Sequence, residues 1–215
     1  QIAAEAGPLN FVLADLGVSS MQIDNPDRGF SLKVDGPLDL RLNPKSGKPV
    51  SEILKIISQN ELEEILFENA DEPYADVIAE AITLHIKKGN EISTTTQLKE
   101  VIKDALQFIH PNERAEKVKK SCRLCFQALR IYVNDEFGVL EKFLEKLPYI
   151  LATNARVAIL TFHSGEDRRV KKSFQNYFRA GIYSDIAPEP VRPSLEEISS
   201  NPRARSAKLR WAVKS

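Results

Sequence analysis

A carboxylate, a glycine and a run of hydroxyl and amide side chains follow one another in Asp15-Leu-Gly-Val-Ser-Ser-Met-Gln22. The residues just before them, Phe11-Val-Leu-Ala14, are continuously apolar, the pattern of a parallel strand buried on both faces. Ligands of open α/β sheets bind outside the carboxyl ends of the strands, and Asp15 stands at such an end. Gly17 permits a sharp turn close to a ligand, while Ser19, Ser20 and Gln22 offer hydroxyls and an amide. Taken alone, Asp-Leu-Gly is more simply a strand-to-loop turn with local caps. The chain continues, however, as Asp24-Asn-Pro-Asp-Arg-Gly-Phe-Ser31 and Asp35-Gly-Pro-Leu-Asp-Leu-Arg41. A long irregular stretch rich in Asp, Arg, Gly and Pro at the ligand edge is more often functional than structural.

A second polar cluster follows the apolar run Arg156-Val-Ala-Ile-Leu-Thr-Phe162. Ser164 can cap a helix whose first turn holds Glu166 and Asp167 and which ends near Gly181. The plain reading of His163 is local packing beside that cap; the functional one is a floor for a substrate base or its phosphate. Arg168, Arg169, Lys171 and Lys172, with Arg203, Arg205, Lys208 and Arg210, offer a phosphate-binding track. Phe162, Phe174, Tyr177 and Phe178 read as core. Cys122 and Cys125 form a lone Cys-x-x-Cys. A zinc site takes about four ligands, so the expectation is no metal.

These residues need elements to hold them. The chain has 215 residues, 42% hydrophobic and 28% charged, with equal numbers of bases and acids. That is an ordinary globular composition and excludes a polycation. Two cysteines cannot form a disulfide framework and point to a reducing compartment, read as cytoplasmic. Apolar runs fall far short of the ~20 residues that span a bilayer, and Gln1-Ile-Ala-Ala-Glu-Ala6 lacks the pattern of a signal peptide. Eight acids and no base lie between Asn60 and Glu80, whereas six bases and one acid lie between Arg114 and Arg130. Each run suits a solvated helix face; together they also suit basic surfaces turned to a polyanion and an acidic helix turned away.

The middle of the chain reads as helical. Ser58 with Glu61 and Thr94 with Gln97 have capping-box spacing, Pro73 suits a first helical position, and a longer helix is predicted over about Ser121 to Leu147. Lys208 to Lys214 alternates, with Leu209, Trp211 and Val213 on one side, as in an antiparallel or edge strand. Two buried strands separated by roughly 140 residues of mostly helix exceed any crossover. The simplest account is an α/β sheet with helices inserted between neighbouring strands.

The Asp15–Arg41 blocks closely resemble the signature of the bacterial small-subunit ribosomal RNA (cytosine-N4)-methyltransferases, the MraW family. The resemblance continues through Asp71-Glu-Pro-Tyr-Ala75, Thr94-Thr-Thr-Gln-Leu98, His110-Pro111, Phe126-Gln-Ala-Leu-Arg-Ile131 with Val133-Asn-Asp-Glu136, Phe162-His-Ser-Gly-Glu-Asp-Arg168, and Asn201-Pro-Arg-Ala-Arg-Ser-Ala-Lys-Leu-Arg210. Departures from the family pattern are Gly165 in place of Leu, Asn154-Ala155 in place of Gly-Gly, and a basic insertion between Pro111 and Phe126. The family's glycine-rich cofactor loop has no counterpart: either three β–α units of ~30 residues each precede a chain that is a C-terminal portion, which is the expectation, or the chain is a natural shortened relative.

The resemblance implies an incomplete Rossmann-like S-adenosylmethionine methyltransferase sheet with an inserted all-helical domain. Residues 1–43 and 121–215 would form the methyltransferase domain, and residues 44–120 a helical insertion that helps recognise RNA. Asp15 and Gln22 would contact S-adenosylmethionine. Ser19, Ser20, Asp24 and Asn134 would hold the protons of the reacting amine. His163, Ser164, Arg168, Arg169, Arg203, Arg205 and Lys208 would meet the substrate RNA, either naked or in the assembled small subunit. The Phe11–Ala14 strand would then carry an exposed apolar edge, predicting self-association to a homodimer or local rearrangement. The rival expectations are a non-catalytic RNA-binding or assembly protein on the same fold, and methylation of a small molecule or protein.

Overall fold

The computed structural model describes residues 7–215; the leader reading of Gln1 to Ala6 lies outside them. The chain divides into two compact units, Gln1–Gly17 with Phe137–Ser215, and Val18–Glu136.

The first unit is built on a four-stranded sheet in the order β1 (Leu9–Asp15), β2 (Leu151–Thr161), β4 (Lys208–Lys214), β3 (Tyr183–Ile186). β1 and β2 are parallel neighbours, with Phe11 opposite Arg156 and Asp15 opposite Leu160. β4 runs antiparallel to both β2 and β3, as its alternation predicts; the short β3 carried no sequence signal. Leu140, Leu144 and Leu147 pack with Val170 and Phe174 against Val157, Ile159, Ala212 and Tyr183. Each such side chain contributes about 1.5–3 kcal/mol by leaving water.

The strands are not buried on both faces. Val12 and Ala14 turn to this core, but Phe11 and Leu13 are 59% and 61% exposed. Register places Phe11 and Leu13 on one sheet face with Ala158, Leu160, Leu209, Trp211 and Val213. In β4 the buried side chains are therefore Arg210 and Ala212, while Leu209, Trp211 and Val213 are half-buried. The alternation was legible, but its hydrophobic side is the less buried one.

The second unit is helical: α1 (Ser20–Asp24), α2 (Val50–Ile53), α3 (Gln59–Ala70), α4 (Ala75–Lys87), α5 (Thr95–Ala105) and α6 (Pro111–Asn134). Ser58 caps α3 and Thr94 with Gln97 closes a full capping box on α5. Pro73 lies just outside α4, whose cap position is Tyr74. Leu62, Ile65 and Leu66 of α3 and Ile78 and Ile82 of α4 enter the core with Leu98, Ile102 and Leu129.

One boundary differs from expectation. The long helix breaks at Asp135, which takes a left-handed conformation (φ 47°) between α6 and α7 (Glu136–Ile150). The compact units change over at Gly17/Val18 and Glu136/Phe137. Leu38 and Leu40, in the irregular loop, are fully buried in the helical core. Among the described residues no helix is long and apolar enough to cross a membrane.

Candidate active site

Asp15 ends β1 with its side chain exposed. Opposite it in register, β2 delivers Phe162, His163 and Ser164 to the start of α8 (Ser164–Arg179). A Cβ on Gly17 would rest in ordinary contact with the Phe162 ring, at 3.7 Å. The carboxyl ends of the two parallel strands thus bring Asp15, Gly17 and His163 to one edge of the sheet, where such sheets bind ligands.

His163, rather than Ser164, caps α8. Its Nδ1 accepts from the Glu166 amide, and the Glu166 carboxylate accepts from the amides of Phe162 (2.8 Å) and His163. Ser164 is the exposed first residue of the helix. His163 therefore holds the strand-to-helix turn.

Several cations expected to meet a polyanion are engaged within the unit. Arg169 stacks on the Phe137 ring, 3.4 Å from its centroid, and bonds Glu141. Lys208 donates to Asp167 at 3.1 Å, as Arg210 does at 2.6 Å. Burial alone would raise the Asp167 pKa, but these two cations outweigh it and hold the carboxyl below its ordinary value. The sequence signal was available: Lys208 and Arg210 share a strand face, and Asp167 lies in the facing helix's first turn. Arg168, Arg203 and Arg205 are exposed.

In the helical unit, Ser19 and Gln22 satisfy each other. The Ser19 hydroxyl accepts from the Gln22 amide, and the Gln22 side-chain oxygen accepts from the Ser19 amide at 2.9 Å. Gln22 is half-buried, while Ser20 and Asp24 are exposed on α1. The Asn134 amide is engaged within this unit. Its oxygen accepts from the Leu42 amide at 2.7 Å, and its NH2 donates to the carbonyls of Leu40 and Arg130, each at 2.8 Å.

The loop between α1 and α2 is fastened at both ends of the helical layer. Asp35 accepts from the Thr96 amide and the Thr95 hydroxyl, and the Thr96 bond brings its pKa down to about 2. Arg28 donates through Nη2 to the carbonyls of Arg41 and Leu42. The Arg41 guanidinium grips Asp39 with two bonds, at 2.6 and 2.8 Å. Arg28 and Asp35 went unassigned in sequence, although both lie inside its most distinctive blocks. Four blocks far apart in the chain, at Asp24–Ser31, Asp35–Arg41, Thr94–Leu98 and Phe126–Glu136, thus form one construction. On α6, Lys117, Lys119, Lys120 and Arg123 are exposed, as a basic surface requires. Cys122 and Cys125 are buried thiols; burial pushes Cys122 up to about 11 and Cys125 well above the usual thiol range.

Comparison with known proteins gives the same answer throughout the chain. A profile of the MraW methylase family matches residues 2–215. A protein of Alkaliphilus metalliredigens named ribosomal RNA small subunit methyltransferase H 2 is 66% identical over 215 residues, covering 100% of this chain and 62% of its own length. Ribosomal RNA small subunit methyltransferase H 1 of Lachnoclostridium phytofermentans is 61% identical over the whole chain and 59% of its own length. The corresponding protein of Agathobacter rectalis is 56% identical over 62% of its length. The chain spans about three fifths of the length of these relatives. With a family match running from residue 2 to residue 215, the chain belongs to the MraW methylase family.

Proposed function

We propose that this chain is the larger part of an S-adenosylmethionine-dependent enzyme that methylates N4 of a cytidine in small-subunit ribosomal RNA, and that alone it binds the methyl donor weakly or not at all. The reading rests on Asp15: an exposed carboxylate at the carboxyl end of a parallel strand, followed by a turn and by a loop that the helical unit holds rigidly. The relatives' names supply the substrate class. The position of β1 at the edge of the sheet among the described residues, with Phe11 and Leu13 exposed, supports an incomplete Rossmann-like sheet into which the helical unit is inserted.

The residues fit the donor. S-adenosylmethionine presents hydroxyls, an exocyclic amine and a sulfonium cation, each of which suits an exposed carboxylate such as Asp15; the Gln22 NH2 adds a hydrogen-bond donor. When bound, it supplies a methyl group already activated by the sulfonium charge. Alignment is then the protein's main contribution. Ser20 and Asp24, exposed on α1, offer acceptors for the amine protons, one of which must leave as the new N–C bond forms. Arg168, Arg203 and Arg205 offer cations to phosphates, and His163 and Ser164 give the turn against which an unstacked base rests.

The test is transfer of a labelled methyl group by the complete gene product to naked small-subunit RNA, assembled subunits and free nucleosides. N4-methylcytidine in digests of the RNA is the expected result, and Asp15→Ala with an unchanged circular dichroism spectrum lowers transfer on the order of a hundredfold. RNA binding without transfer would instead make the protein an assembly factor.

A further inference from the structure

We infer that Asn134 is a positioning residue for this reaction: its one amide anchors the loop over residues 26–42 and, through that loop, the polar side chains of α1. The inference rests on the function proposed above.

Leu40 is buried and left-handed, at φ 64°. A branched side chain keeps such a conformation only where its surroundings over-determine it. Here they do. The Leu40 amide donates to the Arg28 carbonyl, the Leu40 carbonyl accepts from Asn134, and the Leu42 amide donates to Asn134. The anchor itself is fixed: Asn134 also bonds the Arg130 carbonyl, and the Arg130 guanidinium makes two bonds to Glu136, at 2.8 and 3.0 Å. Asn134 directly precedes the left-handed Asp135 that ends α6.

Contact carries the constraint onward. Arg28 holds the carbonyls of Arg41 and Leu42. A Cβ on Gly36 would lie 2.1 Å from the Pro26 carbonyl oxygen, and one on Gly29 would lie 2.3 Å from that of Pro37. The turn at Pro26–Arg28 is thus pressed backbone to backbone against residues 36–37. Asn25, between that turn and α1, accepts from the Asp27 amide. A shift at Leu40–Leu42 has no slack to absorb it before Asp24.

The experiment compares wild type, Asn134→Ala and Asn134→Asp in the complete gene product. In Asn134→Ala, amide exchange in peptides covering residues 38–42 accelerates about tenfold or more, while α3 and α4 keep their protection. Methyl transfer loses kcat on the order of a hundredfold with the KM for the RNA within about twofold. Asn134→Asp behaves like alanine at neutral pH, because a carboxylate faces two carbonyl acceptors. It regains protection and kcat as the pH is lowered and the acid protonates to donate to Leu40, whereas wild type shows no such gain. Unchanged exchange, or faster exchange with unchanged kcat, overturns the inference. Wild-type protein without transfer activity fells the functional reading alone, because exchange still decides the anchor.

Discussion

The carboxylate of Asp167 in α8 and the guanidinium of Arg210 in β4 form an ion pair 2.6 Å long, with the two residues only 8% and 4% exposed. The pair explains why a charged residue occupies the inner side of β4 between flanking apolar positions. Removing one partner leaves the other charge buried, which costs about 3–5 kcal/mol. Asp167→Asn is expected to lower the unfolding free energy by that amount in urea titrations. The carboxyl titrates below its unfolded value, so its contribution is present above about pH 3.9 and is lost as pH falls through the lower folded value. The variant loses that acid-side slope; an unchanged slope would show that the pair carries no linkage.

Glu72 predicts the opposite sign. It is 1% exposed, accepts from the Ser121 hydroxyl at 2.8 Å, and leaves Oε2 without a hydrogen-bond partner. Burial raises its pKa despite the bonds from Ser121 and Tyr74. A raised folded value means that the contribution is fullest below the unfolded pKa and declines as pH rises through the folded one. Glu72→Gln, neutral at every pH, is expected to stabilise the chain at pH 8 by about 1 kcal/mol. The gain shrinks on acidification; thermal unfolding at pH 5 and pH 8 measures it.

Gly165 is held small by the Phe137 ring and, less closely, by the His163 imidazole. A Cβ there would lie 2.6 Å from Cζ of Phe137, itself clamped beneath Arg169. Gly165→Ala is therefore expected to destabilise by about 1–3 kcal/mol through overpacking. In a Phe137→Leu background the sign reverses, because alanine's helix propensity is about 1 kcal/mol better than glycine's. A double-mutant cycle in urea reads the coupling directly; additive effects would refute the contact.

The open edge of β1 predicts association. With Phe11 and Leu13 exposed beside an unpaired strand edge, this chain alone is expected to dimerise with rising concentration in sedimentation velocity. Leu13→Lys should weaken the dimer about tenfold or more, since charge on an edge strand opposes pairing. A strict monomer at all concentrations would mean the edge is covered.

Much of this protein is written locally. Asp15 at a strand end, the caps at Ser58 and Thr94, the antiparallel Lys208–Lys214 strand and the family itself were legible because each depends on residues within a few positions of one another. What the chain does with its polar groups was not. Asn134, Lys208 and Arg169 read as free functional groups, and only tertiary packing showed their partners, Leu42, Asp167 and Phe137, at sequence separations that no local pattern reports. The placement of Leu40 and the outward turn of Phe11 were decided the same way. Sequence periodicity states that a side chain is apolar, but which face is covered depends on what the rest of the fold lays against it.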